Sequence, residues 1–415
     1  MTGIRNNLHL LVLVLVLISV CAVATPAQRT SRSKRSPAAP KPSPQQTAAF
    51  DNAVKVGEEA RMAGRLDEAI EAYMKAVNIR PGWPDGWWYL GAIFYEKDQY
   101  APARDAFNNL VALEPKRGPA WGMLGLCEFQ TRNYERAVIS LQRGRALGLD
   151  GNQELESVVR YHTALLYIRF ERFEIAFEIL KEFVRIGNNS PKVVEGFGLV
   201  ILRMPFLPIE VPPDKREQVL MAGQAGISMA ARRMDEARLA FLALVDRYPN
   251  EANAHYSFGV YQLAQDADAA LKEFQRTLEL NPSHQPAMVQ MAFEYLKRDQ
   301  YNDALPLAER AVQLAPNMYP ARNVLGRVLL ELGQIPRAVT ELEAGVKLAP
   351  SSPEMHFALA RAYTRAGRKQ DADRERELFK KLQEKNNEKD AAQVGNSPSN
   401  SNAPKPNPEE KDPKN

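Results

Sequence analysis

The sequence predicts an all-α fold, a solenoid of about nine stacked antiparallel helix pairs. The first observation is a fixed period. Ala69, Ala103 and Ala137 are spaced 34 residues apart, as are Gly57, Gly91 and Gly125, and the same interval separates Pro81 from Pro115 and Trp87 from Trp121. Several residue types in phase at one period mark a repeat architecture. The second observation is helical amphipathicity inside one period, with Trp87, Leu90, Ile93 and Phe94 recurring at three- to four-residue spacing. The third is composition. At 415 residues, 45% hydrophobic and 25% charged, the chain is too long for one ordinary core yet average in every class, which excludes collagenous, polytopic-membrane and fully disordered chains. Two cysteines, Cys21 and Cys127, exclude a disulfide framework or a cysteine-rich metal site.

In chain order, residues 1–24 read as a signal peptide. Arg5 precedes an apolar run from Leu10 to Ala24, which closes on the small-x-small site Ala22-Val23-Ala24. An uncleaved anchor and a lipid on Cys21 are the alternatives, and they are the only membrane attachments expected. Residues 25–49, with five prolines among Ser, Lys, Arg and Gln, read as a disordered Pro/basic linker. Residues 386–415, rich in Asn, Pro, Lys and Glu, read as a disordered tail. The net charge of +4 resides in the flanks: the signal carries +1, the linker +5 and the tail −1, which leaves −1 for residues 50–385. That balance gives no electrostatic reason to bind nucleic acid.

Between the flanks the repeat unit is a helical hairpin. Residues 85–96 form its first helix, and Lys97-Asp98-Gln99 make a polar break. Pro102 sits near the start of the second helix, where a missing N–H is tolerated. Ala103, Ala106, Phe107 and Leu110 line the second helix's buried face, and Pro115 ends it. Gly91 and Ala103 are small where the two helices approach closely.

On these residues the chain resembles the tetratricopeptide repeat family. Residues 84–117 carry the pattern with Trp87, Leu90, Gly91, Phe94, Ala103, Phe107 and Pro115. Residues 50–83 carry it with Gly57, Ala69, Tyr73, Ala76 and Pro81, and residues 118–151 with Trp121, Leu124, Gly125 and Ala137. Weaker units stand at 157–190, after a five-residue insertion, at 218–251 with Ala237, and at 252–284, one residue short. Three more follow at 285–318 (Ala304, Pro316), 319–352 (Ala338, Pro350) and 353–386 (Ala372). The resemblance implies a right-handed superhelix. The proline-rich stretch 204–214, from Met204 to Asp214, reads as extended and polyproline-like. It divides an N-terminal block, 50–203, from a C-terminal block, 215–385, and is either a packed loop or a hinge.

Catalytic signatures are absent from the sequence. His162, His255, His284 and His356 have no close zinc spacing, and there is no P-loop, nucleophile elbow or dinucleotide fingerprint. Cys127 falls inside a helix beside Leu124 and Leu126, as a buried thiol would. No cofactor and no metal are expected. The resemblance places positions 5, 9 and 12 of each unit on a concave groove. The candidate partner-binding residues are therefore Trp88, Tyr95, Phe129 and Tyr161 as apolar anchors, with Phe357 beyond, and Asn323, Arg327 and Arg361 as receivers of a carboxylate. The expected function is a non-catalytic scaffold, periplasmic or secreted, that binds other proteins or peptide segments. The alternative is an accessory subunit of an envelope biosynthetic, polysaccharide-export, pilus or secretion machine.

Overall fold

The computed structural model describes residues 43–395, with side chains described through 388. The signal peptide, Cys21, most of the linker and the end of the tail lie outside the described residues. Nineteen α-helices and two short 3-10 turns account for the described secondary structure. Eighteen helices form nine hairpins, and one helix is supernumerary.

The first four hairpins are α1 (Pro44–Met62) with α2 (Leu66–Ile79), α3 (Pro84–Glu96) with α4 (Tyr100–Leu113), α5 (Gly118–Gln130) with α6 (Tyr134–Leu147), and α7 (Gln153–Arg169) with α8 (Phe173–Arg185). The supernumerary helix α9 (Pro191–Ile201) follows. Then come α10 (Arg216–Ala230) with α11 (Met234–Arg247), and α12 (Ala252–Gln262) with α13 (Ala267–Leu280). The last three hairpins are α14 (Gln285–Lys297) with α15 (Tyr301–Leu314), α16 (Tyr319–Glu331) with α17 (Ile335–Leu348), and α18 (Pro353–Arg365) with α19 (Lys369–Gly395).

Helix starts follow the sequence. Pro occupies the first turn of α1, α3, α5, α14, α16 and α18, where its missing N–H has no helical partner to lose. Two regions differ from the linker and tail readings. Helix α1 begins at Pro44, inside the stretch read as linker, because Ser43 and Gln46 form a reciprocal capping box that nucleates it. Helix α19 runs to Gly395, past the boundary expected at 386.

Inside each hairpin the close approach rests on small residues. A Cβ on Gly57, Gly91 or Gly125 would lie 2.7 Å from Tyr73, Phe107 or Leu141 on the partner helix. The alanines Ala69, Ala103, Ala137, Ala237, Ala304 and Ala338 are fully buried, and Ala372 is 1% exposed. In eight of the nine hairpins the turn between the two helices holds one residue in the left-handed region. Asp98 (φ 57°), Arg132 (60°), Glu171 (57°), Arg232 (58°) and Asp299 (58°) occupy it in five hairpins.

The proline-rich stretch is a packed loop. Leu207 and Val211 are buried in an apolar cluster that runs from Ala164 to Tyr261. Arg169 of α7 clamps the loop, bonding Glu210 at 2.7 Å and the Pro205 carbonyl at 3.4 Å. Its backbone is only partly polyproline-like. Leu207 and Pro212 are extended, but each leads into a 3-10 turn, at Pro208–Glu210 and Pro213–Lys215. The loop connects α9 to α10, which meet backbone to backbone. A Cβ on Gly198 would stand 1.9 Å from the Val219 carbonyl oxygen, and one on Gly223 2.1 Å from that of Val194. The chain divides instead between Leu280 and Asn281, into two compact units of described residues 43–280 and 281–395.

Candidate functional site

In the first compact unit the candidate groove residues lie on α3, α5 and α7. Trp88 is half-buried. It meets Phe107 edge to face with centroids 5.7 Å apart, and the Arg117 guanidinium stacks 4.7 Å over it. Asp85 and Glu114 hold that guanidinium in place at 3.7 and 3.0 Å. Two cavities adjoin the indole. One, of about 410 Å³, is lined by Arg61, Leu66, Tyr89, Ala92, Ile93 and Glu96 as well as Trp88. The other, of about 270 Å³, is lined by Arg117, Pro119, Leu149, Asp150, Asn152 and Leu155 with Trp88 again. An apolar plate with a cation on each side is suited to grip an extended segment that places one side chain in each cavity.

Tyr95, Phe129 and Tyr161 are spent largely on packing. Tyr95 meets Tyr100 edge to face at 5.3 Å, and burial, with Cys127 adding to it, pushes its phenol upward. Phe129 packs against Tyr134 at 5.7 Å and His162 at 4.7 Å. Tyr161 touches the same His162 at 5.8 Å, donates its hydroxyl to the Lys192 carbonyl at 3.3 Å, and is pushed upward by burial. His162 is lowered by burial, so this cluster is an aromatic wall and not a charged one. The stripe then closes: at the corresponding positions of α9, Val193, Phe197 and Val200 are all buried.

In the second compact unit Asn323 donates to the Met355 sulfur at 3.2 Å. Arg327 stacks 5.1 Å over Phe293, and its pKa is lowered by burial and by the neighbouring Arg361. Arg361 is already paired with Glu331 at 2.8 Å, and Arg365 holds the same carboxylate at 3.1 Å. Phe357, half-exposed, lies 5.4 Å from Phe379 of α19. Arg327 and Arg361 are thus brought together, while Phe357 turns to the last helix. Arg61, Tyr89, Arg117, Phe293 and Glu331 complete the two surfaces. The repeat register reaches Arg61 and Phe293, at positions 12 and 9 of their units. Nothing in the sequence marks Arg117 or Glu331.

A third pattern lies off the groove, at the fourth position of the repeat. Trp87 and Trp121 donate their indole N–H to the carbonyls of Pro81 and Pro115, at 2.8 and 3.0 Å. His255, Arg322 and His356 make the same link to Pro249 (3.1 Å), Pro316 (2.7 Å) and Pro350 (2.9 Å). These three also meet an acid at the unit's position 23: Glu273 at 2.7 Å, Glu341 at 2.5 Å and Glu375 at 2.5 Å. His255 and His356 are therefore braces between units. Cys127 is fully buried, and desolvation followed by the charge of Glu128 pushes its thiol up to about 12, far from a nucleophile's range. Among the described residues no group of three or more His, Cys, Asp or Glu could hold a metal ion.

Comparison with known proteins finds the repeat in both compact units. Family models described as TPR repeat or tetratricopeptide repeat match residues 57–116, 90–150 and 295–361. The general transcriptional corepressor trfA of Dictyostelium discoideum is 26% identical over 142 residues, covering 34% of this chain and 10% of that protein. Small glutamine-rich tetratricopeptide repeat-containing protein 2 of Mycosarcoma maydis is 31% identical over 103 residues, covering 25% of this chain and 29% of that protein. The matched region thus spans less than a third of either relative. Among solved structures, MamA from residue 41 of Desulfovibrio magneticus RS-1 is 24% identical, covering 41% of this chain and 94% of that one with a TM-score of 0.35.

Proposed function

Because the chain is a tetratricopeptide repeat protein, built as an all-α array of helix pairs, we propose that it serves as a protein-interaction scaffold and acts without chemistry of its own, by holding an extended segment of a partner protein across Trp88. The observation that carries this reading is the half-buried indole with a cavity beside it on two sides. Helix α9 supports it by closing the stripe, so the engaged segment meets α1, α3, α5 and α7. The apolar run and small-residue cleavage site of residues 1–24 support export, with a periplasmic or secreted destination. If the signal is cleaved after Ala24, the mature protein begins at Thr25, which N-terminal sequencing reads directly.

The test of the groove is crosslinking in cells from a photoreactive residue at Ala92, which lines the larger cavity. A discrete adduct that disappears when Trp88→Ala is added supports the reading. An adduct unaffected by Trp88→Ala, or one formed equally from the exposed Glu71 on the second-helix side, rejects it.

A further inference from the structure

Each of the two cavities that adjoin Trp88 carries one cation and one carboxylate on its lining. The larger has Arg61 and Glu96, and the smaller has Arg117 and Asp150. Both cations are already engaged. Arg61 donates its Nε–H to the hydroxyl of the fully buried Tyr73 at 3.4 Å and stacks 5.0 Å over Tyr89. Arg117 lies over the Trp88 ring and is bonded to Glu114 at 3.0 Å, with Asp85 at 3.7 Å. The acids are not engaged. Among the described residues neither Glu96 nor Asp150 has an ion-pair partner within 4.0 Å or a side-chain hydrogen bond. The cations nearest the larger cavity in sequence are taken elsewhere: Lys97 bonds Asp67 at 2.7 Å and Arg65 bonds Glu68 at 2.7 Å. The free charge at each cavity is therefore negative.

The walls beneath these charges are apolar, with Leu66, Ala92 and Ile93 in one cavity and Pro119, Leu149 and Leu155 in the other. An apolar wall under an acidic rim fits Lys or Arg, whose methylene stem lies along the wall while its charge reaches the rim. An acidic side chain entering either cavity would stand beside an unpaired carboxylate. Glu96 and Asp150 are both exposed, so an ion pair with either adds little affinity. Rim charges of this kind act chiefly on the choice of partner, by speeding the encounter with one sign of charge and repelling the other.

Resting on the Trp88 groove described above, we propose that it selects basic segments of partner proteins, with a Lys or Arg side chain in each cavity. Glu96 and Asp150 are the residues that set this preference. The test measures fluorescence anisotropy of three labelled, capped peptides of about ten residues, in which Ser alternates with Lys, Met or Glu, against the full chain. The Lys peptide should bind tightest and the Glu peptide weakest, and added salt should weaken the Lys peptide far more than the Met peptide. Glu96→Gln and Asp150→Asn should each weaken the Lys peptide about two- to fivefold, and together about tenfold, while leaving the Met peptide unchanged. Neither change threatens the fold, since both side chains are exposed and Asn accepts the left-handed backbone that Asp150 adopts at φ 55°. Binding that requires Trp88 but is as tight for the Met or Glu peptide, or is unchanged when both acids are replaced, overturns the basic preference and leaves the groove standing. A Lys peptide that does not bind overturns the proposal, and one that binds equally well to Trp88→Ala removes the groove with it.

Discussion

Glu128 shows how far a single side chain can depart from its repeat position. It is 3% exposed on α5, and its Oε2 has no hydrogen-bond partner. Burial raises its pKa, and the hydrogen bond with Ser140 offsets this only in part. Because the folded-state pKa lies above the unfolded one, folding favours the protonated acid, and stability falls as pH rises through the ordinary carboxylate range toward the raised value. Glu128→Gln keeps the shape and removes the charge. It should be more stable than wild type by about 1 kcal/mol at neutral pH, and the gain should vanish below pH of about 4. Urea unfolding at the two pH values checks both halves. The neighbouring Cys127, buried and held as a thiol, should resist alkylation in the native state at pH 8 and react only on unfolding. The stripe positions Trp88 and Arg327 could be read by counting along the repeat. Which partners they meet could not, because Arg117 reaches Trp88 from the start of α5 and Phe293 reaches Arg327 from α14, and a one-dimensional period carries no tertiary pairing.

Among the helices, α9 is the one the period did not reveal. It ends in the same left-handed turn as the first helices of the hairpins, with Arg203 at φ 49°, but no second helix follows in phase. The repeat's anchors, alanine at position 20 and proline at 32, therefore have nowhere to appear. Of its glycines, Gly198 admits the backbone of α10. Gly198→Ala and Gly223→Ala should each cost about 3 kcal/mol or more, since the clash is with a main-chain carbonyl that cannot rotate away. Gly196→Ala is the control: its Cβ would meet only the Leu180 side chain, at 3.3 Å, and should cost far less. Denaturant midpoints that do not separate the first two variants from the third would remove the glycine contact as the cause. The capping box at Ser43 was equally hidden, because the prolines and charges around it dominate the local composition.

Taken over its whole length, the chain is a series of units each stabilised mainly by its neighbours, so damage should spread only as far as contact does. The division between Leu280 and Asn281 sets that range. In Gly198→Ala, hydrogen exchange should accelerate in the helices around α9 and α10 and stay unchanged from α14 onward. Acceleration through α14–α19 would show cooperativity across the division. The period, the count of nine hairpins and the all-α class were legible because each hairpin repeats the same local solution. The division itself was not, because the proline cluster at 204–214 looks more like an interruption than the short Asn281–His284 connection does. The left-handed turns hold a further consequence. Asp98, Arg132, Glu171, Arg232 and Asp299 occupy a conformation that side chains resist, while Gly64, Gly333 and Gly367 occupy it freely in three other hairpins. The molecule thus keeps unspent stability in five turns between paired helices, and glycine there is a route by which the array could absorb costly change elsewhere and remain folded.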